Sequence, residues 1–250
     1  MESETGDPRL VGGSRPGRDA VLGFVIAAAT IFTLGLVSKG VALIASNLGA
    51  LAAIVFLFVP YFYGRRHGED LYDYGFRTAP IKQGLLFGLG IPLVVFPIFA
   101  VGFVVFYEVV CSIDAIRAVA PPGMCGRFGG LEELHLPPLS FATLEFFFIQ
   151  VVAVALPEEL FFRGFVHQLL ERALPSKRTL WGGKIGWALV ASSALFAVGH
   201  LMVTPDARRL AVFFPGFLFG WVYSKTRSIM AGTIIHALSN VFIYLLERSF

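Results

Sequence analysis

The chain has 250 residues, 56% of them hydrophobic and only 15% charged, with 26 Phe and a mean hydropathy of +0.74. That balance excludes a soluble globular domain, and the want of apolar–polar alternation excludes a β-barrel, which leaves an all-α, polytopic membrane helical bundle. A net charge of +3 is too small to point to nucleic acid, so the partner implied by composition is the lipid bilayer.

Residues 1–19 are polar, with Gly, Pro and Arg, and are expected to form a disordered tail. No small-residue cleavage site follows the first apolar run and Lys39 closes it, so an uncleaved anchor is expected rather than a signal peptide. Residues 20–250 form one transmembrane domain without internal repeats. A hydrocarbon core needs about 20 apolar residues per helix. Runs approaching that length extend over Ala20–Val37, Val41–Tyr63 and Gly84–Tyr107. A fourth starts at Leu139, passes Leu156 and continues in helical pattern to about Leu170. Ile185–Val203, Leu210–Tyr223 and Ile229–Leu246 complete about seven spans, of which the Leu210 segment is the shortest. Gly84-x-x-x-Gly88 and Gly216-x-x-x-Gly220 read as close helix contacts.

Charge fixes an orientation. The tail and the 64–83, 163–184 and 225–227 segments carry 14 of the 20 Lys and Arg, against 6 for the opposite side. The N-terminus is therefore expected in the cytoplasm. Cys111 and Cys125 then share an external loop, where a disulfide and two separate thiols are equally compatible with the spacing.

Within the fourth run, the stretch ALPEELFFRGF (Ala155 to Phe165) places Glu158, Glu159 and Arg163 among apolar residues. A carboxylate at the centre of a membrane helix costs about 2.5–3.5 kcal/mol on the insertion scale, which makes an intramembrane acid a functional-site candidate. Phe196-x-x-x-His200 and His236-x-x-x-Asn240 are two further four-residue patterns, each placing its ends on one helix face. Glu159 and Arg163 can pair along their own helix. Glu158, turned about 100° away, is left to face another helix. At about 1.5 Å per residue, Glu158 lies about 18 Å from Leu170 and His200 about 22 Å from Ile185. His236 and Asn240 lie about 12 and 18 Å from Ser228, so all four can meet at one depth.

Two histidines and a carboxylate in a low-dielectric cavity can activate water, with Glu158 as general base and His200 orienting the water. His236 and Asn240 would donate hydrogen bonds to an oxyanion. Singly, each group has a plainer reading. Glu159 with Arg163 is a supporting ion pair, His200 a packing histidine, and His236 and Asn240 interhelical glue. Their convergence favours catalysis over all of these. His167, one turn beyond Arg163, reads as interfacial.

The order of the three patterns, over about 139–246, resembles the CPBP family of intramembrane endopeptidases, also called ABI or CAAX-protease-like. The resemblance implies a helical membrane protease acting on a membrane-anchored or lipid-modified protein. It implies Glu158 and His200 as the activating pair, His236 and Asn240 as the supporting pair, and Glu159 and Arg163 as the rest of the first motif. Bacterial myxosortase-like members, which trim C-terminal sorting tails, fit the short form and the long external loop, and with them a bacterial inner membrane is expected. Prenyl-protein members have a further helix after His-x-x-x-Asn. No cofactor is favoured, since a glutamate mechanism needs the fewest groups. Zinc on Glu158, His200 and His236 is the alternative, although no H-E-x-x-H motif occurs. The competing functional class is a non-catalytic membrane scaffold or bacteriocin-immunity-type protein that retains the polar cluster.

Overall fold

The computed structural model describes residues 15–250 apart from Pro122, Leu136, Thr204 and Pro205. Residues 1–14 of the expected tail lie outside the described residues. Helix α1, Pro16–Ser38, begins inside the stretch assigned to that tail. Pro16 opens it without losing a needed N–H, and Asp19 complements its first turn. Tyr63 also donates a hydrogen bond to Asp19 at 3.1 Å.

Each of the seven apolar runs forms a helix, and successive helices run in alternating directions between two ends. Four of them, α1, α2 (Ala42–His67), α3 (Ile81–Ser112) and α4 (Phe141–Ala173), are long and apolar enough to cross a membrane. Helices α5 (Trp187–Val203) and α7 (Met230–Leu246) have 17 residues each, and α6 (Phe213–Thr226) has 14. The protein is an integral membrane protein. Its exposed residues agree: Leu86, Leu93, Ile98 and Val101 on α3 are all at least 65% exposed, as a face turned to lipid requires.

Helix α4 is the axis of the core. Its Phe161, Phe162, Phe165 and Leu169 are buried against Ala20, Phe24 and Ala27 of α1 and against Tyr74. Gly84 and Gly88 let α3 approach α7 closely, since a Cβ at either would lie 3.0 Å or less from Met230 or Ile234. Gly220 does the same for α6 against Leu189 of α5, where a Cβ would come within 2.5 Å.

One end gathers the basic segments. There Arg77 Nε donates to Arg227 O at 2.8 Å, Gln168 to Asp73 O at 3.0 Å, and Lys184 pairs with Glu171 at 2.9 Å. The 68–80 loop at this end folds inward. Tyr74 is fully buried. Burial, reinforced by its hydrogen bond to Glu69, raises the Tyr74 hydroxyl far above the usual phenol range. Ile229 N–H donates to Gly75 O at 3.0 Å, so α7 starts well inside the bundle, which is why it is short. A hairpin that the sequence reading did not anticipate, β1 (Arg178–Leu180) antiparallel to β2 (Gly183–Ile185), also lies here. Trp181 and Gly182 at its tip have φ of 50° and 84°, the left-handed pair that a two-residue hairpin turn demands.

The opposite end carries a disulfide between Cys111 and Cys125, with Cα atoms 5.6 Å apart, which settles the alternatives left open by their spacing. His135 N–H donates to Ser249 O at 2.8 Å, joining the long loop to the C-terminal end of the bundle.

Candidate active site

Helix α4 departs from regular α geometry around its two glutamates. Wide π-type turns over Gln150–Ala155 and Leu160–His167 flank a single α-turn, Leu156–Glu159. Pro157 has no N–H to give the ladder, and Leu156 N–H reaches back five residues to Val151 O. Insertions of this kind re-aim side chains. Here Glu159 points to α6 and α7 and is 1% exposed, whereas Glu158 points to α5 and an open space and is 17% exposed.

Glu159 Oε1 takes two partners, Arg163 Nη1 at 3.0 Å along the same helix and His236 Nδ1 at 3.1 Å across from α7. Arg163 is closed in by the rings of Phe196 and Phe219, at 4.1 and 5.1 Å from their centroids, and donates to Gly216 O at 3.3 Å. Such enclosure places a full guanidinium charge in a dry core only because Glu159 neutralises it. Gly232 gives Glu159 its room, for a Cβ there would lie 2.6 Å from Oε2.

The carboxylate on His236 Nδ1 also fixes that ring's proton, and the Phe196 carbonyl, 3.0 Å from His200 Nδ1, fixes the other. Both rings therefore turn Nε2 toward Glu158. Glu158 Oε2 lies 3.9 Å from His200 Nε2 and 3.8 Å from His236 Nε2. These gaps are too long for direct hydrogen bonds and suited to one shared water.

Asn240 stands apart from this trio. Its Nδ2 donates to Gln150 Oε1 at 2.7 Å, two turns before Glu158 on α4. The equal depths expected from sequence hold for Glu158, His200 and His236, the two Nε2 atoms lying 3.9 and 3.8 Å from Glu158 Oε2. Asn240 lies one turn further along α7. Gln150 was missed, although a lone amide in FFFIQVVAVA was a visible signal. His167, expected near the interface, is 2% exposed and packed beside Gly220 and Tyr223, so its ring is turned into the protein.

Ligands of a tetrahedral zinc with bonds of 2.0–2.1 Å lie about 3.3 Å apart, and Glu158 Oε2 stands 3.8 and 3.9 Å from the two Nε2 atoms. Among the described residues no set of three His, Cys, Asp or Glu is disposed to hold a metal.

Glu158, His200 and Phe162 form the floor of a cavity of about 650 Å³. Its walls are α1 from Phe24 to Lys39 and α2 from Leu48 to Phe56, and Val203 and Arg209 stand at its rim. His236 lies behind Glu158, outside the lining.

No curated protein and no solved structure matches the chain. A family model does: that of the type II CAAX prenyl endopeptidase Rce1-like proteins, over residues 140–242. The matched segment, about two fifths of the chain, holds all three motifs and every group assembled around Glu158 and Asn240. With its polar cluster buried in an apolar helical bundle, this segment carries an Rce1-like domain, similar to the CPBP-type intramembrane endopeptidases.

Proposed function

We propose that the chain hydrolyses a peptide bond in a membrane-anchored or lipid-modified protein, with Glu158 and His200 activating the attacking water. The observation that carries this reading is that the Nε2 atoms of His200 and His236 both lie within 3.9 Å of Glu158 Oε2, with Glu158 and His200 lining the floor of a cavity and His236 behind Glu158. Three acceptors face one space there. A water offers two hydrogens, so one further proton is needed on the trio. That proton also balances the buried charge, since Glu158 and Glu159 carry two negative charges and Arg163 one positive charge.

With the extra proton on His236 Nε2, Glu158 is free as a base. The water oxygen bonds to the scissile carbonyl carbon while Glu158 takes a water proton and His200 Nε2 holds the other hydrogen in line. The carbonyl oxygen becomes the oxyanion and meets His236 Nε2–H and the second amide hydrogen of Asn240, the first being committed to Gln150. The C–N bond then breaks as Glu158 passes its proton to the leaving amine. Glu159 and Arg163 act through His236, whose ring they hold.

In this reading the catalytic core is about 139–246 within a transmembrane domain, and residues 1–19 are a cytoplasmic tail. The end holding most of the Lys and Arg faces the cytoplasm of a bacterial inner membrane. The test compares wild type, Glu158→Gln and His200→Ala in native membranes, following the termini of small membrane proteins by mass spectrometry. Shortened termini that vanish in both variants at unchanged protein level are expected. Profiles identical to wild type would sink proteolysis and favour a scaffold that keeps the cluster for packing. Chelation with EDTA is expected to leave activity intact, and zinc-dependent recovery after loss would replace the metal-free mechanism.

A further inference from the structure

The cavity has one direction. On the basic side, Tyr74 O sits so close to Gly164 that a Cβ there would come within 2.3 Å. Tyr74 and Gly75, the two buried residues of the 68–80 loop, therefore pack against α4 only six residues, about 9 Å, from Glu158 and close that approach. The cavity is walled instead by the halves of α1 and α2 nearest the disulfide end, and it reaches Lys39, where α1 stops, and Arg209, in the turn after α5.

Its lining is otherwise almost wholly apolar. Lys39 and Arg209 are exposed, and neither forms an ion pair with a described acid. The mouth of the cavity thus carries two cations, whereas the carboxylate at the floor has its charge balanced by its buried neighbours. A substrate with an anion at one end and an apolar stretch behind it is oriented by that difference, its anion attracted outward to the mouth. A chain terminus supplies such a pair without any added group. From Phe24, whose ring packs on Phe162 at the floor, α1 rises about 22 Å to Lys39. An extended peptide at about 3.3 Å per residue spans that in about seven residues.

We propose that substrate enters from the disulfide end, with an apolar C-terminal segment lying in the cavity and its terminal carboxylate held by Lys39 and Arg209, about seven residues beyond the bond at Glu158. This rests on the protease reading, but its test does not need turnover. Ala52→Cys places a thiol on the cavity wall, and the native cysteines are paired and silent to maleimide. Purified full-length protein in liposomes is labelled with a membrane-impermeant maleimide from each face, with Thr179→Cys marking the hairpin face. Ala52→Cys is expected to react only from the face opposite Thr179→Cys; reaction from the hairpin face overturns the entry route.

An apolar heptapeptide with a free carboxylate is expected to slow that labelling at about tenfold lower concentration than its C-terminal amide, and Lys39→Glu with Arg209→Glu to erase the difference. Equal protection by acid and amide refutes the carboxylate assignment. So does protection that follows the phosphatidylglycerol content of the vesicles instead of the peptide. Run in a Glu158→Gln background, the assay reads binding alone, so intact protection without any wild-type hydrolysis would fail the protease reading and leave the cavity assignment standing.

Discussion

His236 donates through Nδ1 to Glu159 at 3.1 Å, on the same carboxylate oxygen that Arg163 holds at 3.0 Å. One buried acid thus neutralises a guanidinium on its own helix and sets the ring orientation of a histidine on another. Breaking such a pair leaves an uncompensated charge. Glu159→Ala is expected to lose about 3–5 kcal/mol of stability, read by thermal unfolding in detergent. The double variant Glu159→Gln with Arg163→Met should recover most of that loss and remain inactive, because His236 has then lost its orienting carboxylate.

Gly232 tests the same link without touching a charged group. A methyl there would press on Glu159 Oε2, with Cβ 2.6 Å from it. Gly232→Ala is accordingly expected to lower kcat by at least about tenfold, a cost of about 1.4 kcal/mol in the transition state. Membrane insertion should be retained, as shown by protein yield in the membrane fraction.

Gln150 is the group whose role the sequence reading overlooked. If it positions Asn240 for the oxyanion, Gln150→Ala should cost only about 0.6–2 kcal/mol of stability, the range for an interhelical hydrogen bond in membranes. The same change should reduce kcat more than it raises KM. Gln150→Glu, which still accepts from Asn240, should restore more activity than Gln150→Ala. Equal activity for wild type and Gln150→Ala would remove Asn240 positioning from the mechanism.

Cys111 and Cys125 give a prediction at the far end. Both thiols should resist alkylation in the unfolded protein until a reductant is added, counted as a two-label mass shift. The disulfide closes a loop with a sequence separation of 14, for which loss of the bridge is expected to cost about 3 kcal/mol. Cys111→Ser should unfold correspondingly earlier than wild type.

Apolar composition and run length were enough to determine an all-α membrane bundle, because a helix that must bury its backbone polar groups in lipid has to be long and apolar, as four of the helices are. The four-residue spacings likewise determined which polar groups share a helix face. Glu159 with Arg163 was readable because both partners lie on one helix, one turn apart. What spacing could not supply was the relation between helices. The inward fold of the 68–80 loop sets where α7 begins, and with it which of His236 and Asn240 stands level with Glu158. The pairing of Asn240 with Gln150 is a contact over 90 residues of sequence. The hairpin turn at Trp181 and the cavity between α1, α2 and α4 depend in the same way on backbone placement and on packing among distant segments. Local periodicity is a property of one helix at a time, and only the assembled bundle decides which faces meet, which loop seals one end, and on which side the glutamate is left open.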